Sequence, residues 1–490
     1  MSTELKPIPL VVQPSNRDRT TTKDAKLINC VVEKQPDGRV CVMKRPGFTY
    51  LGTLINSTLN GLTDEGGFIF AVFRGGAIPG TKLYSVSTVS TPASTYLSDL
   101  YDTSSTWYFS LNMASPRQML LVSQNGIDAY WINLNTLAVT FMAGWVPTLP
   151  GYGVLGPPVY LDGITYVLTG DGRIWNSNVN DVSAGGWNAL NFIQARSDAD
   201  LPIAIQKQLV YIVCFKNYSI EIFYNANRPT GSPLGRNDSA KNTNVGLLDV
   251  RTLVRVNEDL LWVAATRSGG TSIAMMRGLS VQIISTPAID RLLADNWNGL
   301  GTVRAFGVKL DGHDLYVLTI GSSPITLVYD ITSGEWYQWS DAVGNAFDYF
   351  GAVTRRSSYG YTQGPTVFSA TGGQVFAVGF NSYKDVTSSG SSVFPAQIRT
   401  PIWDQGVRVK KFCNKLEIIG DAQSVGSVSV SVSDDDYQTW STPRAVNMSD
   451  GVATLINCGT FRRRSWDLVH QADAPFRVEN LVAHVQMGSA

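Results

Sequence analysis

Short paired runs of apolar or alternating residues, closed off by Gly, Asn and Asp, recur along almost the whole chain and constrain its fold more than any single motif. Alternation with a period of two places successive side chains on opposite faces of a strand, and helical periodicity is nearly absent, so the sequence predicts an all-β protein. The pairs form candidate units at Phe68 to Val89, Met119 to Thr140, Ile164 to Trp175, Leu209 to Tyr224, Leu260 to Ile284, Leu315 to Trp339 and Val367 to Phe380. Their spacing is irregular but clusters around roughly 50 residues, the range of kelch-like propeller blades. Asn125-Gly126, Asp171-Gly172 and Asp450-Gly451 lie between such segments and suit hairpin turns needing positive φ at both centres, and Asp37-Gly38 reads the same way.

One unit shows why a blade fits. Leu315 to Leu318 is a buried-type strand, Thr326 to Asp330 its partner, and Thr332-Ser333-Gly334 turns the chain into the aromatic return strand Glu335-Trp336-Tyr337-Gln338-Trp339. Blades pack face to face, so both faces of their inner strands must be apolar and large rings fill the wedge between them. From Ser388 the character changes: Ser-Ser-Gly-Ser-Ser reads as a loop or linker, Val425 to Val432 alternates Val with small residues, and Phe476 to Val485 reads as a closing strand. The expected architecture is a β-propeller of six to seven irregular blades over 51–387 and a C-terminal β-sandwich over 388–490. Residues 1–50 are expected to form an extended segment and entry strands.

Charged residues make up only 16% of the chain, and 39 basic and 39 acidic side chains cancel. Proteins that grip nucleic acid by neutralising phosphates need a basic stripe, and none is visible. The longest basic run, Arg462-Arg463-Arg464, is expected to be an ion-paired strand end. Five cysteines (Cys30, Cys41, Cys214, Cys413, Cys458) are scattered without CxxC spacing, which suits reduced thiols in a cytoplasm and indicates neither a zinc site nor a disulfide framework. The N-terminus carries Pro7 and Pro9 and lacks the pattern of a signal peptide, and no apolar run is long enough to insert in a membrane.

Candidate chemistry is sparse. None of His313, His470 and His484 stands at metal-ligand spacing from another or near a Cys cluster, so catalytic and metal-binding residues are expected to be absent. Asp434-Asp435-Asp436 lacks the alternating ligands, central Gly and closing Glu of a calcium loop and reads as an exposed turn. The same stretch is similar to the Asp box of sialidase-type propellers: Ser433, Asp435, Thr439 and Trp440 match, while Tyr437 stands where that box has Gly. Such a box braces a hairpin and implies fold, not activity. Gly269-Gly270 and Gly372-Gly373 sit between strands and read as turns, so no phosphate cradle and no cofactor is expected.

The middle of the chain resembles the tail-nozzle, or packaged-DNA stabilization (tail hub), family of short-tailed bacteriophages (podoviruses). The resemblance rests on Val210 to Phe215 followed by Ser219-Ile220-Glu221-Ile222-Phe223, and on Ile284-Ser285-Thr286-Pro287-Ala288-Ile289-Asp290, with Asp290 where the family pattern has Glu. Between them Asn244-Val245-Gly246 and Leu261-Trp262-Val263 fall in the same order, and Val328-Tyr329-Asp330 with Trp336 and Trp339 continues it. The match covers roughly Leu209 to Trp339, with looser similarity at Lys44-Arg45-Pro46-Gly47-Phe48 and in the C-terminal strands. It implies a non-enzymatic virion protein, assembled in the host bacterial cytoplasm, that forms a homo-oligomeric, usually hexameric, ring below the portal and adaptor. Such a ring extends and closes the DNA channel for ejection and docks tail fibres, spikes or a needle. Double-stranded DNA would pass through its lumen without sequence-specific binding. A competing reading from the Asp-box-like segment and 12 Trp is a glycan-binding or glycosidase propeller; a further one is a host-derived monomeric scaffold for protein partners.

Overall fold

The computed structural model describes the chain apart from residues 1–3, 11–23, 36–37, 88–90, 102–105, 241, 243, 298–302, 321–325, 357–361, 380, 424, 450–451 and 489–490. Among the described residues, six blades are each built from one contiguous stretch of chain, 58–100, 107–141, 159–194, 202–236, 245–283 and 303–339; the first five are sheets of their own, and the last continues into further strands. Five of them are antiparallel meanders in chain order. In the sheet at 245–283 the first strand is broken into Val245–Leu247 and Val254–Val256, which both pair with Asp259–Thr266. A seventh sheet contains Tyr349–Arg356, Thr362–Ser369 and Gln374–Gly379, and its next strand is Gly47–Thr53, from ahead of the first blade. Tyr349–Arg356 also lies against Thr58–Thr63, so the innermost strands complete a circle. The protein is a β-propeller, and each of the seven units expected from sequence lies in its own sheet.

The core explains the spacing of the apolar runs. Six hydrophobic clusters each join two neighbouring blades: Phe70 with Trp107, Leu120 with Trp175, Leu168 with Ile212, Phe215 with Trp262, Leu261 with Trp336, and Leu59 with Val353. A seventh cluster joins Val317 and Trp339 to Val367 and Phe376 and runs on into the C-terminal strands. A strand with both faces buried must be apolar throughout, as Leu260 to Ala264 is.

Beyond the propeller, Ala396–Arg399, Ser427–Ser433, Arg444–Asn447 and Ser465–His470 share one sheet, and Lys411–Gly420, Val452–Ile456, Thr460–Phe461 and Arg477–Met487 share another. Val430, Trp466 and Leu468 of the first meet Leu416, Ile418 and Leu481 of the second in one core. Upstream strands are woven into both. Lys26–Ile28 sits between Ala396–Arg399 and Glu335–Trp339 and so fuses the first sheet to the 303–339 blade. Glu4–Ile8, Cys30–Lys34 and Val40–Lys44 join the second.

Several local expectations change. The Ser388 stretch is not a linker: it is the turn between Asp385–Thr387 and Gly390–Ser392, and Val386 pairs with Thr49, so this hairpin belongs to the seventh sheet. Asn125-Gly126 and Asp171-Gly172 do turn the chain, but only Asn125 (φ 59) and Gly172 (φ 81) take positive φ, because both connections are longer than a two-residue hairpin. Asp37 and Asp450-Gly451 lie outside the described residues. Pro287–Asn296 is an α-helix that strand periodicity did not disclose; Thr286 caps it and Pro287 opens it. That Thr-Pro pair is the available signal, since proline's fixed φ and absent N–H suit a first helical position.

Candidate functional site at the ring closure and the propeller axis

The chain passes from the C-terminal sheets into the propeller at Lys44-Arg45-Pro46-Gly47-Phe48, and this pentapeptide forms a densely bonded buried site. Arg45 is fully buried, and its five N–H donors are all used. Nε donates to Asn29 Oδ1 at 2.9 Å, Nη1 to Asp385 Oδ1 at 3.0 Å and to the Pro46 carbonyl at 2.9 Å, and Nη2 to Asp385 Oδ2 at 2.8 Å and to the Ser340 carbonyl at 2.9 Å. Its guanidinium lies 3.6 Å from the Phe394 ring centroid and 4.9 Å from that of Phe347. Phe48 N–H completes the Asp385 carboxylate at 3.1 Å. One cation thus joins the strand at 26–28, the end of the 303–339 blade and the closing sheet. Gly47 is required by the close approach, because a Cβ there would stand 2.0 Å from the Lys384 carbonyl oxygen. Beside it, Lys44 Nζ donates to the Ala472 carbonyl at 2.8 Å, and burial draws its pKa down to about 8.

The axial face is less tightly built. The break in the 245–283 blade turns Asp249, Val250 and Arg251 toward a cleft of about 470 Å³ that Gln124, Leu155 and Ile203 also line. Arg251 is bidentate to Asp249 at 3.0 and 2.7 Å, so the cleft's cation is neutralised within its own loop. Tyr108 donates to Gln124 Oε1 at 3.2 Å, and burial pushes its hydroxyl pKa up. Arg304 lies 5.1 Å from the Phe350 ring centroid, and burial lowers its pKa.

The residues singled out from sequence are held in structural contacts. Arg464, buried, is bidentate to Asp434 at 2.6 and 2.7 Å; Arg463 pairs with Asp436; and Arg462 donates to the Arg408 carbonyl at 2.9 Å. The basic run and the aspartate run therefore bind each other. Asp435 accepts from Ser433 Oγ at 2.9 Å, from Gln438 and Thr439 N–H at 3.1 and 2.9 Å, and from the Thr439 hydroxyl at 2.5 Å, bonds that hold its pKa down at about 2. Tyr437, where the Asp box has Gly, adopts φ 63 and donates from its hydroxyl to the Thr400 carbonyl at 3.0 Å. His313 contacts Asp330 at 2.8 Å, and Asp330 accepts from Tyr337 at 3.1 Å. His470 stacks on Phe476 at 4.8 Å, and His484 faces Glu417 at 3.1 Å. Among the described residues no three His, Cys, Asp or Glu side chains cluster as metal ligands.

The motifs carrying the resemblance are likewise internal. Glu221 and Asp200 hold the buried Lys216 ammonium, both at 3.1 Å, and Ser219 donates to Asp200 at 3.0 Å. Ser285 donates to Asp290 at 2.5 Å at the helix entrance, while Trp336 Nε1 donates to the Ile284 carbonyl at 3.0 Å. Gly246 passes so close to Asn217 that a Cβ would lie 2.2 Å from its carbonyl oxygen. Arg45 and Asp385 were not recognised as a pair from sequence; a buried-type arginine between strands is a weak signal, and its partner lies 340 positions away.

A closed circle of four-stranded blades defines a β-propeller. The chain belongs to the phage-stabilisation family described as bacteriophage P22 Gp10, β-propeller, whose model matches residues 33–352. It is a phage tail protein concerned with stabilising packaged DNA, and a component of the virion. The match is wider than the stretch recognised from sequence and includes the ring-closure pentapeptide. No curated protein matches. Among solved structures the chain is similar to BamB from Moraxella catarrhalis (11% identity, 77% of this chain and 98% of that one, TM-score 0.37). It is similar also to an exo-β-1,3-galactanase from Phanerochaete chrysosporium (11%, 90% and 100%, TM-score 0.28) and to PorZ from Porphyromonas gingivalis (13%, 81% and 46%, TM-score 0.36). At these scores the three carry no argument about function.

Proposed function

We propose that the protein is the tail nozzle, or hub, of a short-tailed phage: a ring of six copies below the portal and adaptor that extends and closes the DNA channel and docks fibres, spikes or a needle. The family match across the propeller carries this reading. The charge arrangement supports it. A conduit must let DNA slide, and each phosphate neutralised on a fixed wall would add friction as well as affinity. Here the longest basic run is taken up by Asp434, Asp436 and a backbone carbonyl. Assembly in the host cytoplasm and the absence of catalysis belong to the same proposal. Both oxygens of Asp435, the residue behind the glycan-active alternative, are committed to its hairpin.

With 16% charged residues, ring contacts should rest on shape, apolar patches and hydrogen bonds rather than ion pairs. The isolated chain is expected to stay monomeric until the portal–adaptor platform places copies side by side and raises their effective concentration. Mixing the two and imaging the product at about 50 and 300 mM salt tests this. A six-fold ring at both is the expected result; no ring, or steep loss with salt, contradicts the mechanism.

A further inference from the structure

Cys413 and Cys458, scattered in sequence, are brought together at one end of the C-terminal sheets. Cys413 lies on Lys411–Gly420 and Cys458 in the turn after Val452–Ile456. Backbone bonds bracket the pair: Cys413 N–H donates to the Gly459 carbonyl and Asn457 N–H to the Asn414 carbonyl, both at 2.9 Å. These bonds bring Cys458 beside the end of the strand that carries Cys413, and the spacing of antiparallel neighbours lies within the span of a disulfide. The two thiols lie beside each other, close enough for each to perturb the other's ionisation. Each also faces a carbonyl, Lys415 O at 3.5 Å for Cys413 and Leu455 O at 3.2 Å for Cys458. Cys30, Cys41 and Cys214 lie elsewhere: Cys30 faces the carbonyls of Ile28 and Gln397, Cys41 accepts from Arg477, and Cys214 lies in the 202–236 blade.

We propose that Cys413 and Cys458 form a latent disulfide that closes when the protein leaves a reducing cytoplasm and meets a small peroxide. Cys458 is the attacking sulfur. It is the more exposed of the two, 8% against 2%. Contact with Cys413, with Arg444 and Arg464 nearby, favours its thiolate, while contact with Cys458 and burial disfavour ionisation of Cys413. The Cys458 thiolate attacks hydrogen peroxide, giving a sulfenic acid and hydroxide; the Cys413 sulfur then attacks the Cys458 sulfur and expels water as its proton is taken up. In sum, two thiols and one peroxide become one disulfide and two waters. The link would tie Lys411–Gly420 to the turn whose Cys458 carbonyl also accepts from Arg464, and through Arg464 to the Asp434 hairpin. It would close a loop across 45 positions and so constrain the unfolded chain.

The full-length chain is treated with hydrogen peroxide at neutral pH, alkylated without reduction and mapped by mass spectrometry. The expected result is a fall from five free thiols to three, an intact mass lower by about 2 Da before alkylation, and one linked peptide pair carrying Cys413 and Cys458, reversed by dithiothreitol. Cys413→Ser should instead trap a sulfenic acid on Cys458 that dimedone labels, and Cys458→Ser should leave Cys413 unmodified. Five thiols persisting, a link through any other cysteine, or over-oxidised Cys458 without a link in the native chain overturns the proposal. None of these readouts depends on ring formation.

Discussion

The six contiguous blades and the region that closes the ring are both built from antiparallel strands, yet they are assembled by opposite means. A blade such as 107–141 pairs strands adjacent in sequence and is welded to its neighbour by rings such as Trp107. The closure brings residues 4–53 to residues 335–487, and its junction is set by a buried ion pair rather than by apolar packing alone. Non-local pairing must overcome a larger loop-closure entropy, so directional bonds that fix one geometry are most useful there. Hydrophobic contact makes each blade, and specific polar contact decides where the circle ends.

The largest effect should come from breaking the closure. Asp385→Ala leaves the Arg45 charge buried without its carboxylate and is expected to lower unfolding free energy by about 3 to 5 kcal/mol, read by urea denaturation. Arg45→Met with Asp385→Leu, which removes both charges, should recover much of that loss. If the double variant is no better than the single one, the site works by shape and the contrast with the blades fails.

Within the blades, Trp336→Ala and Ile220→Ala should each cost about 2 to 5 kcal/mol through lost packing. Both side chains are 1% exposed, in clusters shared by adjacent blades. Wild-type melting of either variant would show that the blade interfaces are not where the propeller's stability resides.

Acid and base should separate the two regions by sign. The hydrogen bond to Asp330 raises the pKa of His313 in the 303–339 blade, so that contribution is present below about 6.5 and lost as pH rises through the higher folded value. Burial lowers His470 in the C-terminal sheets to about 4, so its contribution is present above about 6.5 and lost as pH falls toward the folded value. His313→Gln should remove the alkaline loss and His470→Leu the acid loss, measured as midpoint against pH. Equal slopes in wild type and variants would sink the assignment.

The smallest effect is expected at Arg463, whose pair with Asp436 is partly solvated. Arg463→Ala should change stability by about 0.2 to 1 kcal/mol and leave DNA retention unaltered. A marked fall in DNA retention would instead place the basic run on the lumen wall.

The strand content, the recurrence of the seven pairs and the aromatic wedge of Leu315 to Trp339 were legible because a strand pair interacts within some twenty to thirty residues and writes its burial pattern locally. The family motifs were legible as order, although the use of Glu221, to hold Lys216, was not. The helix at Pro287 was missed because its apolar face is short and lies among β segments. The stretch at Ser388 was read as a loop or linker, and that it is a hairpin turn inside a sheet was not legible because nothing local tells small polar turn residues from a domain boundary.

What the sequence by itself determined is a neutral, all-β chain of repeated hairpins, since alternation and turn chemistry act between near neighbours. The tertiary structure alone decided that Gly47–Thr53 closes the last blade, that Arg45 finds Asp385, that the arginine and aspartate runs neutralise each other, and that Cys413 meets Cys458. Each of these depends on where a distant segment lands, and that is fixed by the packing of the whole ring, because a backbone register has no local record of its partner when tens or hundreds of residues intervene.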